Sequence, residues 1–132
     1  MKPHTIILML LSIFVLSCQK NDLCDPNSPT IIGSWDWVKS VGGITGSTFT
    51  PEITGEKITL EITPDSIYRK YLNGSLIADS RFTLSYDTLI GVPFLKFDGL
   101  TSLSFELIDC NNLILTELYM CDGYTRTYKR IH

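Results

Sequence analysis

Residues 33–43 read GSWDWVKSVGG. Two tryptophans stand two apart, a glycine stands two before the first, and two glycines close the run. Side chains two apart lie on one face of a β-strand. A strand over 33–41 therefore places Trp35, Trp37, Lys39 and Val41 on a common face. Two large rings on one face need a deep apolar interior to receive them.

The same period of two continues through the chain. Ile58, Leu60 and Ile62 alternate with Lys57, Thr59 and Glu61. Phe82, Leu84 and Tyr86 alternate with Arg81, Thr83 and Ser85. Leu103, Phe105 and Leu107 alternate with Ser104 and Glu106, and Tyr124, Arg126, Tyr128 and Arg130 alternate with Thr125, Thr127 and Lys129. Strands are expected at 33–41, 56–63, 66–72, 76–87, 92–97, 103–109, 113–120 and 123–131. The turns between them (63–66, 72–75, 97–100, 109–112 and 121–124) carry the Asn, Asp or Gly that tight hairpins require. Hairpins in succession without a crossover predict an all-β protein, an eight-stranded up-and-down antiparallel barrel, because closure removes both sheet edges. The interior of such a barrel fits side chains or one small ligand. One connection differs: residues 42–55, GGITGSTFTPEITG, are long, rich in Gly and Thr, and show no strand pattern. A loop of that length is expected to act as a lid or mobile segment.

The N-terminus reads as an address. Lys2, the apolar run Ile6–Leu16 and then Ser17-Cys18 match a secretory signal peptide. Val15-Leu16-Ser17-Cys18 also resembles a bacterial lipobox, which implies removal of residues 1–17 and lipidation of Cys18. The following QKND resembles the short export signal of Bacteroidetes surface lipoproteins, and so implies a lipid-anchored protein of the outer membrane, exposed at the cell surface. Residues 18–31, with Pro26 and Pro29, read as a lipidated cysteine and flexible tether, and residues 32–132 as the single folded domain.

With these residues in view, the chain resembles the small lipocalin-like (calycin) domain lipoproteins of Bacteroidetes. Gly33-Ser34-Trp35 is similar to the GxW motif of their first strand, residues 42–55 to their glycine-rich first loop, and residues 121–131 to their closing hairpin. The first and last strands of a closed barrel pair antiparallel, which brings Trp35 beside Arg130. The resemblance implies that Arg130 packs over Trp35 and closes one end, as a structural pair.

A second group follows from strand arithmetic. With Asp122-Gly123 as a two-residue turn, Tyr119 faces Arg126, Glu117 faces Tyr128, and Glu117 and Arg126 become diagonal neighbours. Lys39 comes to a similar height on the first strand. Lys39, Glu117 and Arg126 are then either a solvated ion network or an anchor for a ligand head group. In the second reading the ligand tail lies among Trp37, Leu60, Phe82, Leu84, Phe105 and Tyr128. The function is expected to be binding of a small, partly apolar ligand. The alternative is a barrel filled by its own side chains, acting through its outer surface as an interaction or envelope component.

Other classes find little support. The 11 basic and 14 acidic residues give a net charge of -3, without the basic stripe that nucleic-acid binding needs. Past the signal segment the only histidine is His132, so there is no Ser/His or Cys/His pair and no zinc spacing. No enzyme activity, no metal and no cofactor are expected, and the protein is expected to be a monomer. Cys24 precedes the first strand and Cys110 sits in a turn at the same end of the barrel. Cys121 lies at the other end, about 25 Å away along a strand, beyond bonding reach. A Cys24–Cys110 disulfide is therefore expected.

Overall fold

The structure is a computed structural model and describes Asp25, residues 27–99 and residues 101–132. The expected signal segment, residues 1–17, and the cysteines Cys18 and Cys24 lie outside the described residues. The elements in chain order are β1 (Gly33–Gly42), β2 (Ser47–Phe49), α1 (Pro51–Thr54), β3 (Ile58–Ile62), β4 (Ile67–Leu72), β5 (Ser75–Asp87), β6 (Val92–Phe97), β7 (Leu103–Asp109), β8 (Asn112–Glu117) and β9 (Tyr124–Arg130).

Every pairing between these strands is antiparallel, each strand from β3 to β9 lies beside the next, and β9 returns to β1. The result is a closed eight-stranded up-and-down barrel, consistent with a lipocalin-like calycin fold. β1 is long enough to serve two partners on one edge. Its first half pairs with β3, Trp35 opposite Leu60, and its second half with β2, Ser40 opposite Phe49. The seam between β6 and β7 is the thinnest, with two registered pairs, Phe94 with Ser104 and Leu95 with Leu103.

The 42–55 connection is not featureless. It carries β2 and the single turn α1, started by Pro51 at its first position and ended by Gly55 with a φ of 71°. Proline is pre-set for a helix start, and a left-handed residue at the end favours glycine.

The interior is set by the alternation. Trp35, Leu60, Ile62, Leu95, Leu113, Leu115 and Tyr128 are fully buried, and Phe97 packs edge-on against Tyr68 with ring centroids 5.3 Å apart. Each such aliphatic side chain contributes about 1.5–3 kcal/mol by leaving water. The folded unit begins before residue 32: Ile31 is buried and its carbonyl accepts the Trp35 indole N–H at 3.0 Å. The end of the expected tether is thus part of the barrel floor.

Two faces differ from the simple alternation. The β1–β9 register shifts between Trp37 and Lys39, a bulge at Val38. A bulge adds one residue and inverts every side chain after it. Ser40 is therefore buried, while Lys39 and Val41 are exposed. Leu84 is also exposed, 61% of its surface meeting solvent. β4 begins at Ile67, opposite Arg81, so among the described residues β5 beyond Phe82 has only β6 beside it, and Leu84 is left without cover.

Candidate functional site

Arg130 and Trp35 are opposite one another across β9 and β1, and the guanidinium carbon lies 4.1 Å from the indole centroid. Its three nitrogens donate to the carbonyls of Cys110 (2.6 Å), Ile32 (2.8 Å) and Thr30 (2.7 Å). Gly33 makes room for this fork. A Cβ there would meet the Arg130 Nη1 at 2.4 Å, and the residue has a φ of 143° that side chains rarely adopt. Burial holds the guanidinium below its ordinary pKa, a cost offset by the three carbonyls and the ring face. This end of the barrel is closed.

Cys110, beside this clamp, is disulfide-bonded, whereas Cys121 carries a free thiol. Cys110–Cys121 is thereby excluded. The expected partner, Cys24, lies outside the described residues.

Above the floor the interior changes character. A cavity of about 340 Å³ is lined by Tyr68, Lys70, Thr101, Leu103, Leu115, Glu117, Arg126 and Tyr128. A second, of about 230 Å³, shares Lys70 and Arg126 as walls and adds Trp37, Ser40, Phe49, Ile58 and Tyr124 among others. Lys70 enters from β4, in register with the inward Leu60 of β3. Arg126 enters from β9, opposite Leu115 on one side and Ser40 on the other. The bulge allows the Trp37 indole to donate to Ser40 Oγ at 2.9 Å, which fixes that ring at the cavity wall.

Glu117 and Arg126 form an ion pair of 2.7 Å, both side chains largely shielded. The turn that joins their strands is not the expected one. β8 ends at Glu117, and residues 118–123 connect to β9. Leu115 pairs with Arg126 and Leu113 with Tyr128, so Tyr119 does not face Arg126 and Glu117 does not face Tyr128. Leu118 is buried and donates its amide to Ser102, and the second Glu117 oxygen accepts the Tyr124 amide at 3.0 Å. Burying Leu118 and capping the loop with Glu117 outweigh the local preference of Asp122-Gly123 for a tight turn. Diagonal proximity of Glu117 and Arg126 on one face survives the change.

Of the residues expected to meet a ligand, Trp37, Glu117, Arg126 and Tyr128 line these cavities. Leu60, Phe82 and Phe105 belong to or pack on the solid core instead. Lys39 and Leu84 point away, for the reasons given above. Lys70 fills the place expected of Lys39. Together with Tyr68, Leu103 and Leu115 it was not evident from sequence. The stretch IYRKYL puts an aromatic ring and a basic group on both faces of β4. The deciding signal is across the strands: Arg69 stands opposite Glu61 and Asp79, with ion-pair distances of 3.3 and 3.4 Å on the outer face. That leaves Tyr68 and Lys70 facing in.

The electrostatics follow from burial. Lys70 is held below the ordinary lysine pKa, first by burial and then by the nearby Arg126 charge, against an opposing pull from Glu117 and Glu56. Burial pushes Tyr68 up to about 12 and raises Tyr128 further. An unfolded tyrosine ionises near pH 10. The contribution of Tyr68 to stability is therefore fully present below pH 10 and is lost between pH 10 and about 12, where only the unfolded chain releases the proton. We expect the urea midpoint to fall across that window and Tyr68→Phe to make the fall shallower, by about 1.4 kcal/mol per pH unit. An unchanged slope in Tyr68→Phe refutes this. Among the described residues no three His, Cys, Asp or Glu side chains gather as a metal set.

Comparison with protein families, with curated proteins and with solved structures finds no match to this chain.

Proposed function

We propose that this protein is an outer-membrane lipoprotein, anchored through Cys18, whose lipocalin-like barrel holds a small, partly apolar ligand in its open half. The observation that carries the binding role is the cavity of about 340 Å³ inside a closed barrel, with charged and phenolic groups beside Leu103 and Leu115. That volume is within the range of small-molecule sites, as is the mixture of an apolar wall with a few convergent polar groups. Support for the anchor is the signal-like N-terminus and the lipobox resemblance around Cys18.

One observation favours a second reading, a barrel filled by its own side chains. The lower half is solid, with Trp35, Leu60, Ile62, Leu95 and Leu113 fully buried. Native mass spectrometry of the full chain separates the two. Ligand binding gives an added mass, beyond any covalent lipid, that organic extraction removes together with a shift in tryptophan emission. A clean mass, with unchanged emission across a panel of lipids and small aromatics, overturns the binding role and leaves the outer surface as the working part.

A further inference from the structure

The ion pair of Glu117 and Arg126 is electrically closed, but a third charge shares its cavity. Lys70 lines both cavities, and among the described residues no carboxylate lies within ion-pair distance of it. Within the first cavity two cations, Lys70 and Arg126, face one anion, Glu117; a second carboxylate, Glu56, stands exposed on the wall of the adjoining cavity and acts on Lys70 only through its field. A partly desolvated ammonium is costly without a counter-charge. The hydroxyls of Tyr68 and Tyr128 add two donors. Both residues are buried, neither hydroxyl is bonded to a described residue, and among the described residues no buried side-chain polar atom is left unsatisfied, so both hydroxyls open on cavity space.

We propose, building on the ligand-binding role above, that the barrel selects a small carboxylic acid as its anion. Lys70 takes the carboxylate, the Tyr68 and Tyr128 hydroxyls donate to it, and the apolar body lies against Leu103 and Leu115. One negative charge matches the excess of one cation among the groups that line the first cavity. A phosphate dianion brings a second, which Glu117 repels. A pocket of about 100 Å³ shares Tyr68, Thr101 and Leu103 with this cavity and adds Ala78 and Phe97 to the apolar wall. This favours a tail of a few carbons over a bare inorganic anion.

Sodium octanoate and 1-octanol test the idea, because they share a tail and differ in charge. Binding to the full chain is followed by calorimetry and by the emission of Trp37, which lines the adjoining cavity. Octanoate is expected to bind at least about tenfold more tightly than octanol, the scale of one charge-assisted contact. Lys70→Met removes that preference, so that octanoate and octanol bind this variant within about twofold of each other. Lys70→Arg keeps the preference, and Lys70→Gln replaces the Met variant if that chain does not fold. Octanoate binding no tighter than octanol, or a preference that persists in Lys70→Met, overturns the carboxylate assignment. Octanol binding alone leaves the cavity a ligand site and removes only the charge selection. No binding of either probe, together with a clean native mass, removes both.

Discussion

Replacing Trp35 with alanine destabilises the barrel by about 3–5 kcal/mol, the usual loss when a large core aromatic is deleted. The residue is wholly inaccessible to solvent. Its indole N–H holds the Ile31 carbonyl, its face carries the Arg130 guanidinium, and its strand neighbour is Leu60. Alanine abandons all three at once and strands a buried guanidinium above a void. Urea unfolding followed by circular dichroism measures the loss, since emission alone confuses the missing ring with the missing structure. Trp35→Phe retains a ring face without the indole donor, and is expected to recover at least half of the loss. A Trp35→Ala midpoint within about 1 kcal/mol of the parent means that the floor collapses around the gap and that this ring does not organise it.

Arg130→Met is the second large effect, about 3–4 kcal/mol, because three carbonyls lose charge-assisted donors while the apolar stem is kept. The carbonyls belong to Thr30, Ile32 and Cys110, so the substitution frees the lead-in segment as well as the β7–β8 turn. Limited proteolysis is the sensitive readout: cleavage near Thr30 becomes fast in Arg130→Met while the rest of the barrel remains resistant. Arg130→Lys keeps the charge but lacks the planar fork, which spreads its donors over three directions. It is expected to fall between parent and Met in both assays. Equal protection of the lead-in segment in all three proteins assigns the docking of residues 30–32 to something other than this side chain.

The barrel is legible in the sequence because its signal is repeated. Most strands restate the period of two, and Asn, Asp or Gly marks most of the turns, so an ambiguous segment such as β4 is placed by its neighbours. Seven of the strands expected from alternation end within two residues of where β1 and β3 to β7 and β9 end. The site depends on features stated once. The bulge at Val38 adds a single β-branched residue of ordinary strand character, with no compositional mark, yet it exchanges Lys39 for Ser40 on the inner face. The 118–123 loop hides behind a good hairpin dipeptide, and what overrides it is Leu118 reaching the core. Lys70 is masked by symmetry, since Arg69 and Lys70 are interchangeable until the outer carboxylates Glu61 and Asp79 claim Arg69. Long-range pairing decides each of these, and alternation within one strand does not report it. The placement of Trp35 beside Arg130 was legible for the opposite reason, since closure of the barrel forces the first and last strands together whatever happens between them; that the guanidinium packs over the ring was implied by the resemblance.

The clamp also dictates an order of events in time. The bond from Arg130 to the Ile32 carbonyl joins positions 98 residues apart. When β1 leaves the ribosome, its closing partner has not been made. Every earlier length of chain has two strand edges unpaired and a tryptophan without its lid, so no intermediate length has the native floor. Contacts this distant in sequence are slow to form. The growing chain therefore stays loose and threadable until its last strand is complete, and then closes in a single late step. A chain interrupted before β9 presents two open edges to its neighbours, the state most prone to associate with them.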